Sequence, residues 1–208
     1  MGIRKSATLR LVDSGSPLPV FGSTTARRQT KHHKFLTEAQ VEALATAAGK
    51  SERTRHRDRT MVLVAYRHGL RVSELVSLRW DQVNFDAGEL RIYRKKHGRD
   101  STHPMPGSEV RALRRLKREQ AESEFVFVSR LRNPMTERAF AQMLERAATG
   151  AGLPRPFNPH ALRHACGYHL ASAGRSMRDI QHYIGHRDLK STEIYTEAAP
   201  TNFRGFFR

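Results

Sequence analysis

The sequence contains one cysteine, Cys166, so no disulfide can form within the chain, and a zinc site built from several thiolates is excluded. A lone cysteine fits a reducing compartment. Hydrophobic runs are short as well: residues 61–65 form one of the longest, far below the roughly 20 residues that a membrane-spanning helix needs. The N-terminus has no long apolar core after its first basic residues, so we expect no secretory signal. These absences predict a protein of the cytoplasm that does not bind membranes.

Acidic residues are also scarce. The chain has 20 Asp and Glu against 37 Lys and Arg, which gives a formal net charge of +17. Such an excess predicts a polyanionic partner, because Lys and Arg that neutralise phosphates release condensed counterions. Composition alone favours a basic nucleic-acid binder over an enzyme.

Two regions differ in pattern. Residues 1–34 carry seven Lys and Arg and one acid without helical or strand periodicity, and are interpreted as a basic flexible N-terminal arm. Residues 35–208 are predicted to form one domain, mainly α with a small antiparallel β-sheet (α+β). The predicted strands are 82–85, 89–94 and 101–105, and the predicted helices are 38–49, 60–68, from about 72, 108–119, 136–149, 159–173, 176–184 and 190–198.

Cationic residues occur at four places where they could meet a phosphodiester, whose transition state needs positive donors. The first is Arg71, between a helix ended by Gly69 and the next helix. The second is a predicted β-turn that contains Lys95 and Lys96. Each could also be a solvated basic residue. That interpretation is preferred for Arg71 when it is considered by itself, and for most of the basic residues in the turn.

The third place is the run from His160 to His164. On a helix, His160 and Arg163 lie three residues apart on one face, so both could grip one phosphate. His160 and His164 also have the spacing of two metal ligands. The metalloprotease pattern requires Glu at the second position, where this chain has Ala161, and this disfavours zinc.

The fourth place joins His186, which follows Gly185, to Tyr195 nine residues later. The glycine is expected to end a helix and to leave the His186 ring free. A tyrosine has an unperturbed pKa near 10, so it needs cationic neighbours or a base to become a nucleophile. A single tyrosine near a C-terminus is more often a packing residue.

Taken together and in order, these elements resemble the catalytic signature of the tyrosine recombinase (phage integrase) family. The sequences that carry the resemblance are GLRVSEL around Arg71, HALRH from His160, and IGH followed by Tyr195. The resemblance covers about residues 35–200. It implies the tyrosine recombinase catalytic-domain fold and a site-specific DNA recombinase.

The resemblance also implies roles for the cationic residues. Arg71 and Arg163 would hold the non-bridging oxygens of the scissile phosphate. Lys96 would protonate the 5′-oxygen leaving group, with the adjacent Lys95 as the alternative. No cofactor and no metal would be needed, because the phosphodiester energy is kept in the protein linkage.

The remaining roles concern the histidines and the tyrosine. Tyr195 would attack the phosphate and form a 3′-phosphotyrosyl intermediate. His160 would move the tyrosine proton, and His186 would bind the phosphate or assist at the leaving group. His164 would be an accessory residue that supports its helix.

By the same resemblance the partner is double-stranded DNA with paired recombination sites, bound by a homotetramer in the nucleoid, with room for accessory DNA-bending proteins. The chain is similar to the short family members that invert fimbrial promoter elements and lack a core-binding domain, so the arm at 1–34 would supply part of the DNA grip. Inversion, integration and excision stay open. The phenylalanines near the C-terminus could dock on a neighbouring protomer or pack on their own domain: Phe203, Phe206 and Phe207.

Two other functions are compatible with the charge. A non-catalytic DNA-binding regulator derived from an integrase explains the basic excess, but gives no reason for Tyr195 to coexist with the arginines and histidines. A type IB topoisomerase uses related chemistry without pairing two sites.

Overall fold

The structure, a computed structural model, describes residues 35–94, 100–120 and 122–199. The predicted arm at 1–34 lies outside these residues, as do the turn with Lys95 and Lys96 and the phenylalanines at 203, 206 and 207. The described part is mainly helical with a three-stranded sheet, and the predicted fold class is confirmed. None of the described helices is long and apolar enough to cross a membrane.

Eight α-helices and three strands follow one another in the described part. They are α1 (Glu38–Ala48), α2 (Arg55–Arg67), α3 (Val72–Val76), a 3-10 helix (Trp80–Gln82), β1 (Val83–Asn84), β2 (Glu89–Ile92), β3 (Ser101–Pro104), α4 (Gly107–Glu119), α5 (Glu137–Gly150), α6 (His160–Ser172), α7 (Met177–Ile184) and α8 (Lys190–Ala198).

Helix α1 begins as its sequence predicts. The Thr37 hydroxyl accepts a hydrogen bond from the Gln40 amide at 3.3 Å, and the Gln40 side chain accepts one from the Thr37 amide at 2.9 Å. This capping box satisfies two N–H groups that the first helical turn leaves without intrahelical partners. Gly49 caps the other end, also as predicted.

Helix α2 begins five residues earlier than predicted, at Arg55 rather than Thr60. The basic stretch before Thr60 indicated a loop, and that interpretation is wrong because tertiary contacts hold it in the helix. The Arg57 guanidinium donates to the buried Asp58 carboxylate and to the Val128 carbonyl. His56 contacts the Ala112 carbonyl of α4. Val128 and Ala112 come from distant parts of the chain, which a local pattern does not reveal.

The sheet is the predicted antiparallel meander, in the order β1-β2-β3. Asn84 begins its first turn by accepting hydrogen bonds from the amides of Asp86 and Ala87, a local bond that asparagine makes readily. In the second pair Leu90 faces His103, and both side chains are buried. Strand β3 thereby reaches the end of α2 through a buried polar contact: the Nδ1 of His103 lies 3.2 Å from the Nδ1 of His68.

Two hydrophobic clusters form the core. The larger one is centred on α1, α2 and α5 and contains fully buried side chains such as Leu44, Phe127 and Phe140. The smaller one packs Phe35 against α7 and α8. Tyr195 belongs to this smaller cluster and is fully buried. The residue predicted to be the nucleophile is therefore a core residue in this state.

Candidate active site

Arg71 lies at the junction of α2 and α3, where Gly69 adopts a positive φ of 56° that glycine accommodates without strain. The Arg71 Nη1 donates to the Glu74 Oε1 at 2.8 Å, and its Nη2 donates to the Gly185 carbonyl at 3.3 Å. Glu74 also accepts from the Arg71 backbone amide at 2.9 Å. With 28% of its side chain exposed, Arg71 can still meet a phosphate from solvent.

Arg163 projects from α6 toward the same junction and is buried. Its Nη1 donates to the Gly69 carbonyl at 2.6 Å, whereas its Nη2 finds no hydrogen-bond partner in the described part of the chain. Burial, together with repulsion from Arg71 and Arg94, lowers the pKa of Arg163 to about 10. A buried donor without a partner is costly, so an anionic oxygen at this place would relieve both penalties.

His186 follows the left-handed Gly185, which ends α7 as predicted with a φ of 73°. Its ring is not free as expected: the Nδ1 lies 3.0 Å from the Thr192 hydroxyl. Burial, together with repulsion from Arg163 and Arg71, lowers the pKa of His186 to about 4. The ring is therefore neutral at pH 7 and can serve as a hydrogen-bonding group.

Tyr195 packs its ring beside His186, with the centroids 6.0 Å apart and the planes inclined by 22°. Phe35 covers another side of the ring at 5.5 Å. Burial raises the pKa of Tyr195 to about 12, while Arg163 lowers it. In this state the phenol is held neutral, beside the cations that could activate it but away from solvent.

The histidine that meets Tyr195 is His164, whose Nδ1 lies 2.9 Å from the tyrosine oxygen. His160, which the family resemblance assigns to proton transfer, begins α6 and is exposed; the hydrogen bond recorded for it joins its backbone amide to Asn158. The two histidines are one helical turn apart, and the sequence spacing alone could not decide between them. The structure thus brings Arg71, Arg163, His186 and Tyr195 together and leaves His160 at the edge.

Three further contributors were not predicted from the sequence: Glu74, Phe35 and Gly167. Glu74 could have been found, since a glutamate three residues after a helix N-cap has the capping-box spacing. Phe35 and Gly167 carry no such signal, because their contacts with Tyr195 depend on how α8 docks. Lys96 and Lys95 lie outside the described residues.

No group of three or more His, Cys, Asp or Glu side chains able to hold a metal ion occurs within the described ranges. An anion at this site would be bound by the guanidinium groups of Arg71 and Arg163. Two guanidinium groups and a neutral imidazole surround a phenol, an arrangement that can bind a phosphodiester and stabilise the charge of its transition state.

Replacing Gly167 by alanine is expected to displace Tyr195 from its pocket. A Cβ at this position would lie 2.5 Å from the tyrosine ring, which is too close for either group to stay in place. We expect tetranitromethane to nitrate Tyr195 in the variant but not in the wild type, measured by peptide mass spectrometry. Tyr93, which is 47% exposed, is the internal positive control. Continued protection of Tyr195 in a folded variant would contradict this packing.

The lowered pKa of His186 predicts a loss of stability in acid. In the unfolded chain the ring takes up a proton near pH 6.5, while in the folded protein it does so only near pH 4. Its contribution is thus present above pH 6.5 and is lost as the pH falls toward 4. Urea unfolding at pH 7 and pH 4.5 should show a smaller loss in His186→Gln than in the wild type. Equal losses would show that His186 is not the responsible group; His103, whose pKa burial lowers to about 3, continues to contribute in both proteins.

The family model described as the phage integrase family matches residues 34–202. Type 1 fimbriae regulatory protein FimB of Escherichia coli (strain K12) is 36% identical over 186 residues, covering 87% of this chain and 92% of FimB. Type 1 fimbriae regulatory protein FimE of the same strain is 34% identical, covering 84% of this chain and 90% of FimE. Tyrosine recombinase XerD of Pseudomonas putida (strain KT2440) is 41% identical, covering 80% of this chain and 58% of XerD.

Solved structures share the fold. The crystal structure of XerA recombinase superposes with a TM-score of 0.69 at 25% identity, covering 81% of this chain and 61% of XerA. The chain therefore spans about three fifths of XerA. The catalytic domain of bacteriophage HP1 integrase gives a TM-score of 0.61 at 21% identity, covering 80% of this chain and 88% of that domain. The Tn1549 transposon integrase, solved in complex with a circular intermediate DNA, gives a TM-score of 0.69 at 22% identity.

Proposed function

The chain belongs to the phage integrase family of tyrosine recombinases, and on that premise we propose that it cleaves and rejoins DNA at specific sites through Tyr195. The observation that carries the proposal is the convergence of Arg71, Arg163, His186 and Tyr195 from four separate segments. A non-catalytic DNA-binding protein has no need for this arrangement.

The two arginines would hold the scissile phosphate. The free Nη2 of Arg163 and the partly exposed guanidinium of Arg71 supply donors for the two non-bridging oxygens. Both side chains are fixed by backbone carbonyls, of Gly69 and Gly185, so they are oriented before the DNA arrives. Such preorganised donors stabilise developing charge without reorganisation.

The tyrosine would then attack. Its oxygen forms a bond to phosphorus, the bond between phosphorus and the 5′-oxygen breaks, and the 5′-oxygen takes a proton. We propose Lys96, or Lys95 beside it, as the acid for that step. The phenol proton passes to a histidine, for which the family resemblance gives His160. A 5′-hydroxyl from a partner strand reverses the step and joins the exchanged strands.

Tyr195 must leave its pocket before it can react, because its side chain is fully buried. We propose that DNA binding moves α8, breaking the contact with His164 and the packing with Phe35. Once the phenol lies beside the phosphate-bound arginines, its pKa falls from about 12, since burial no longer opposes the phenolate. Cleavage is thereby tied to DNA occupancy.

The partners are proposed from the relatives. The substrate would be double-stranded DNA with paired sites, bound by a homotetramer on the synapsed DNA, with accessory DNA-bending proteins as further partners. Inversion, integration and excision all stay open as the outcome. The domain division into a basic arm at 1–34 and a catalytic domain at 35–208 stays part of the proposal, as does action on nucleoid DNA in the cytoplasm.

Covalent capture tests this function. A pool of random-sequence nicked duplexes, in which the short 5′-hydroxyl strand diffuses away after cleavage, is incubated with the full chain in EDTA. The DNA of complexes that survive detergent is amplified and sequenced, and the selected duplex is called the capture duplex. We expect capture without metal and a peptide that carries a nucleotide on Tyr195 through a 3′-phosphate. Failure to capture any duplex despite binding would favour the regulator.

A further inference from the structure

Arg94 is a buried arginine to which the family resemblance assigns no role. It follows β2, two residues before Lys96, and its side chain is fully buried. The Nη1 donates to the Glu74 Oε2 at 2.6 Å, and the Nη2 donates to the Tyr183 carbonyl at 2.7 Å. A fully buried arginine is rare unless it is paired, so the burial of Arg94 indicates that its ion pair has a specific role.

Glu74 connects Arg94 to the active site. Its Oε1 accepts from the Arg71 guanidinium, while its Oε2 accepts from both the Arg71 amide and the Arg94 guanidinium. One carboxylate is thus shared by two arginines. If Arg94 were absent, Glu74 and Arg71 would form a neutral pair, and Arg71 would offer a phosphate little net charge.

The net charge of the whole site also indicates that Arg94 keeps positive charge available to a phosphate. The site holds three guanidinium groups, of Arg71, Arg94 and Arg163, and the single carboxylate of Glu74, which pairs with the first two. The four groups together carry two net positive charges. Burial lowers the pKa of Arg94, and repulsion from Arg71 adds to that effect. Burial likewise lowers the pKa of Arg163, with added repulsion from Arg71 and Arg94, so the three guanidinium groups interact electrostatically. These positive charges lie in a poorly solvated site, where water screens them only weakly.

Gly185, the residue before His186, leaves the space that the Arg94 side chain occupies. A Cβ on Gly185 would lie 2.6 Å from the Arg94 Nε, so only glycine leaves room for this side chain. The Gly185 carbonyl in turn accepts from Arg71. Arg94 therefore contacts the backbone segment that carries His186 as well as the carboxylate that orients Arg71.

We propose that Arg94 is a positioning residue that neutralises Glu74 and so leaves the charge of Arg71 available to the scissile phosphate. The proposal rests on the function proposed above. Arg94 touches neither the phosphate nor the tyrosine, and acts through Glu74 and the segment before His186.

The test measures the single-turnover capture rate at saturating capture duplex. Arg94→Met should slow capture by on the order of 10²-fold, similar to the loss of one preorganised donor. DNA affinity should stay within about threefold, because Arg94 does not reach the DNA surface. The matched control is Arg115→Met, which removes one partner of an exposed Arg–Glu pair with Glu119 and the same unit of charge. The control should capture at the wild-type rate.

A second variant separates charge balance from folding. Glu74→Gln combined with Arg94→Met removes both charges and restores two net positive charges, so it should capture at least about tenfold faster than Arg94→Met alone. Arg94→Lys, which keeps the charge, should fall between the wild type and Arg94→Met. A double variant no faster than the single variant would overturn the proposal.

A neutral phosphate analogue tests whether the defect of Arg94→Met depends on the charge of the substrate, which a purely structural defect would not. In a capture duplex with a methylphosphonate at the scissile position, one non-bridging oxygen is replaced, and the need for positive charge is smaller. The ratio of wild-type to Arg94→Met rates should shrink at least about fivefold on this substrate, a change worth about 1 kcal/mol. Equal ratios on both substrates, or an equal defect in Arg115→Met, would refute the proposal. If the wild type captures no duplex at all, the proposed function fails instead.

Discussion

Tyr195→Phe should abolish covalent capture while DNA affinity stays unchanged. The substitution removes the oxygen that attacks phosphorus and leaves the ring, so the packing against Phe35 and His186 persists. Loss of a covalent nucleophile can cost on the order of 10⁶ in rate, so no adduct should be detectable. The measurement is detergent-resistant complex formation on the capture duplex, together with a gel-shift titration of binding.

Tyr93→Phe is the matched control for this variant. It changes the same functional group at an exposed position, and should capture DNA at the wild-type rate. Adduct formation by Tyr195→Phe would show that another residue is the nucleophile. Relaxation of supercoiled DNA by the wild type without sequence preference would favour a topoisomerase over a recombinase.

Arg163→Met should lower the capture rate by about 10²- to 10³-fold, the second largest effect. Arg163 supplies the buried donor that has no partner in the described part of the chain and faces the same junction as Arg71. Its loss removes a charge-assisted hydrogen bond in a poorly solvated site, where water cannot replace it. Single-turnover rates at saturating DNA separate this effect from weaker binding.

Arg163→Lys distinguishes charge from geometry. Lysine keeps the positive charge but cannot donate to the Gly69 carbonyl and to a phosphate through one planar group. We expect a rate about tenfold above that of Arg163→Met and still well below the wild type. If both variants react at the wild-type rate while folded, Arg163 does not bind the scissile phosphate.

Local signals were sufficient for much of the fold. The capping box at Thr37 and the turns of the meander bond within a few residues, so their sequence patterns contain the whole interaction. The start of α2 could not be predicted, because Arg57 depends on Val128, 71 residues away. The end of α7 at Gly185 could also be predicted, because the positive φ that ends this helix depends on the glycine itself.

The site divides in the same way. Family resemblance pointed to Arg71, Arg163, His186 and Tyr195, and the structure brings them together. It could not indicate that His164 rather than His160 meets the tyrosine in this state, since both lie on the same helix one turn apart. The ion pair of Glu74 with Arg94 was equally hidden, because the two residues are 20 positions apart and no local pattern links them.

The buried state of Tyr195 gives the chain a resting form with low reactivity. The phenol is neutral, its pKa is about 12, and its oxygen lies within hydrogen-bond distance of His164. The proposed coupling of Tyr195 exposure to DNA binding would keep the phenol unreactive until DNA is bound. The packing of Phe35 on Tyr195 places the start of the domain beside this switch.

A crystal structure of Tyr195→Phe bound to the capture duplex tests the convergence of these side chains most directly. We predict the guanidinium groups of Arg71 and Arg163 within about 3 Å of the same phosphate, the usual length of a charge-assisted hydrogen bond, with the ring of residue 195 moved from His164 toward that phosphorus in at least one protomer. Two guanidinium groups on different phosphates, with residue 195 from no protomer near either, would contradict it.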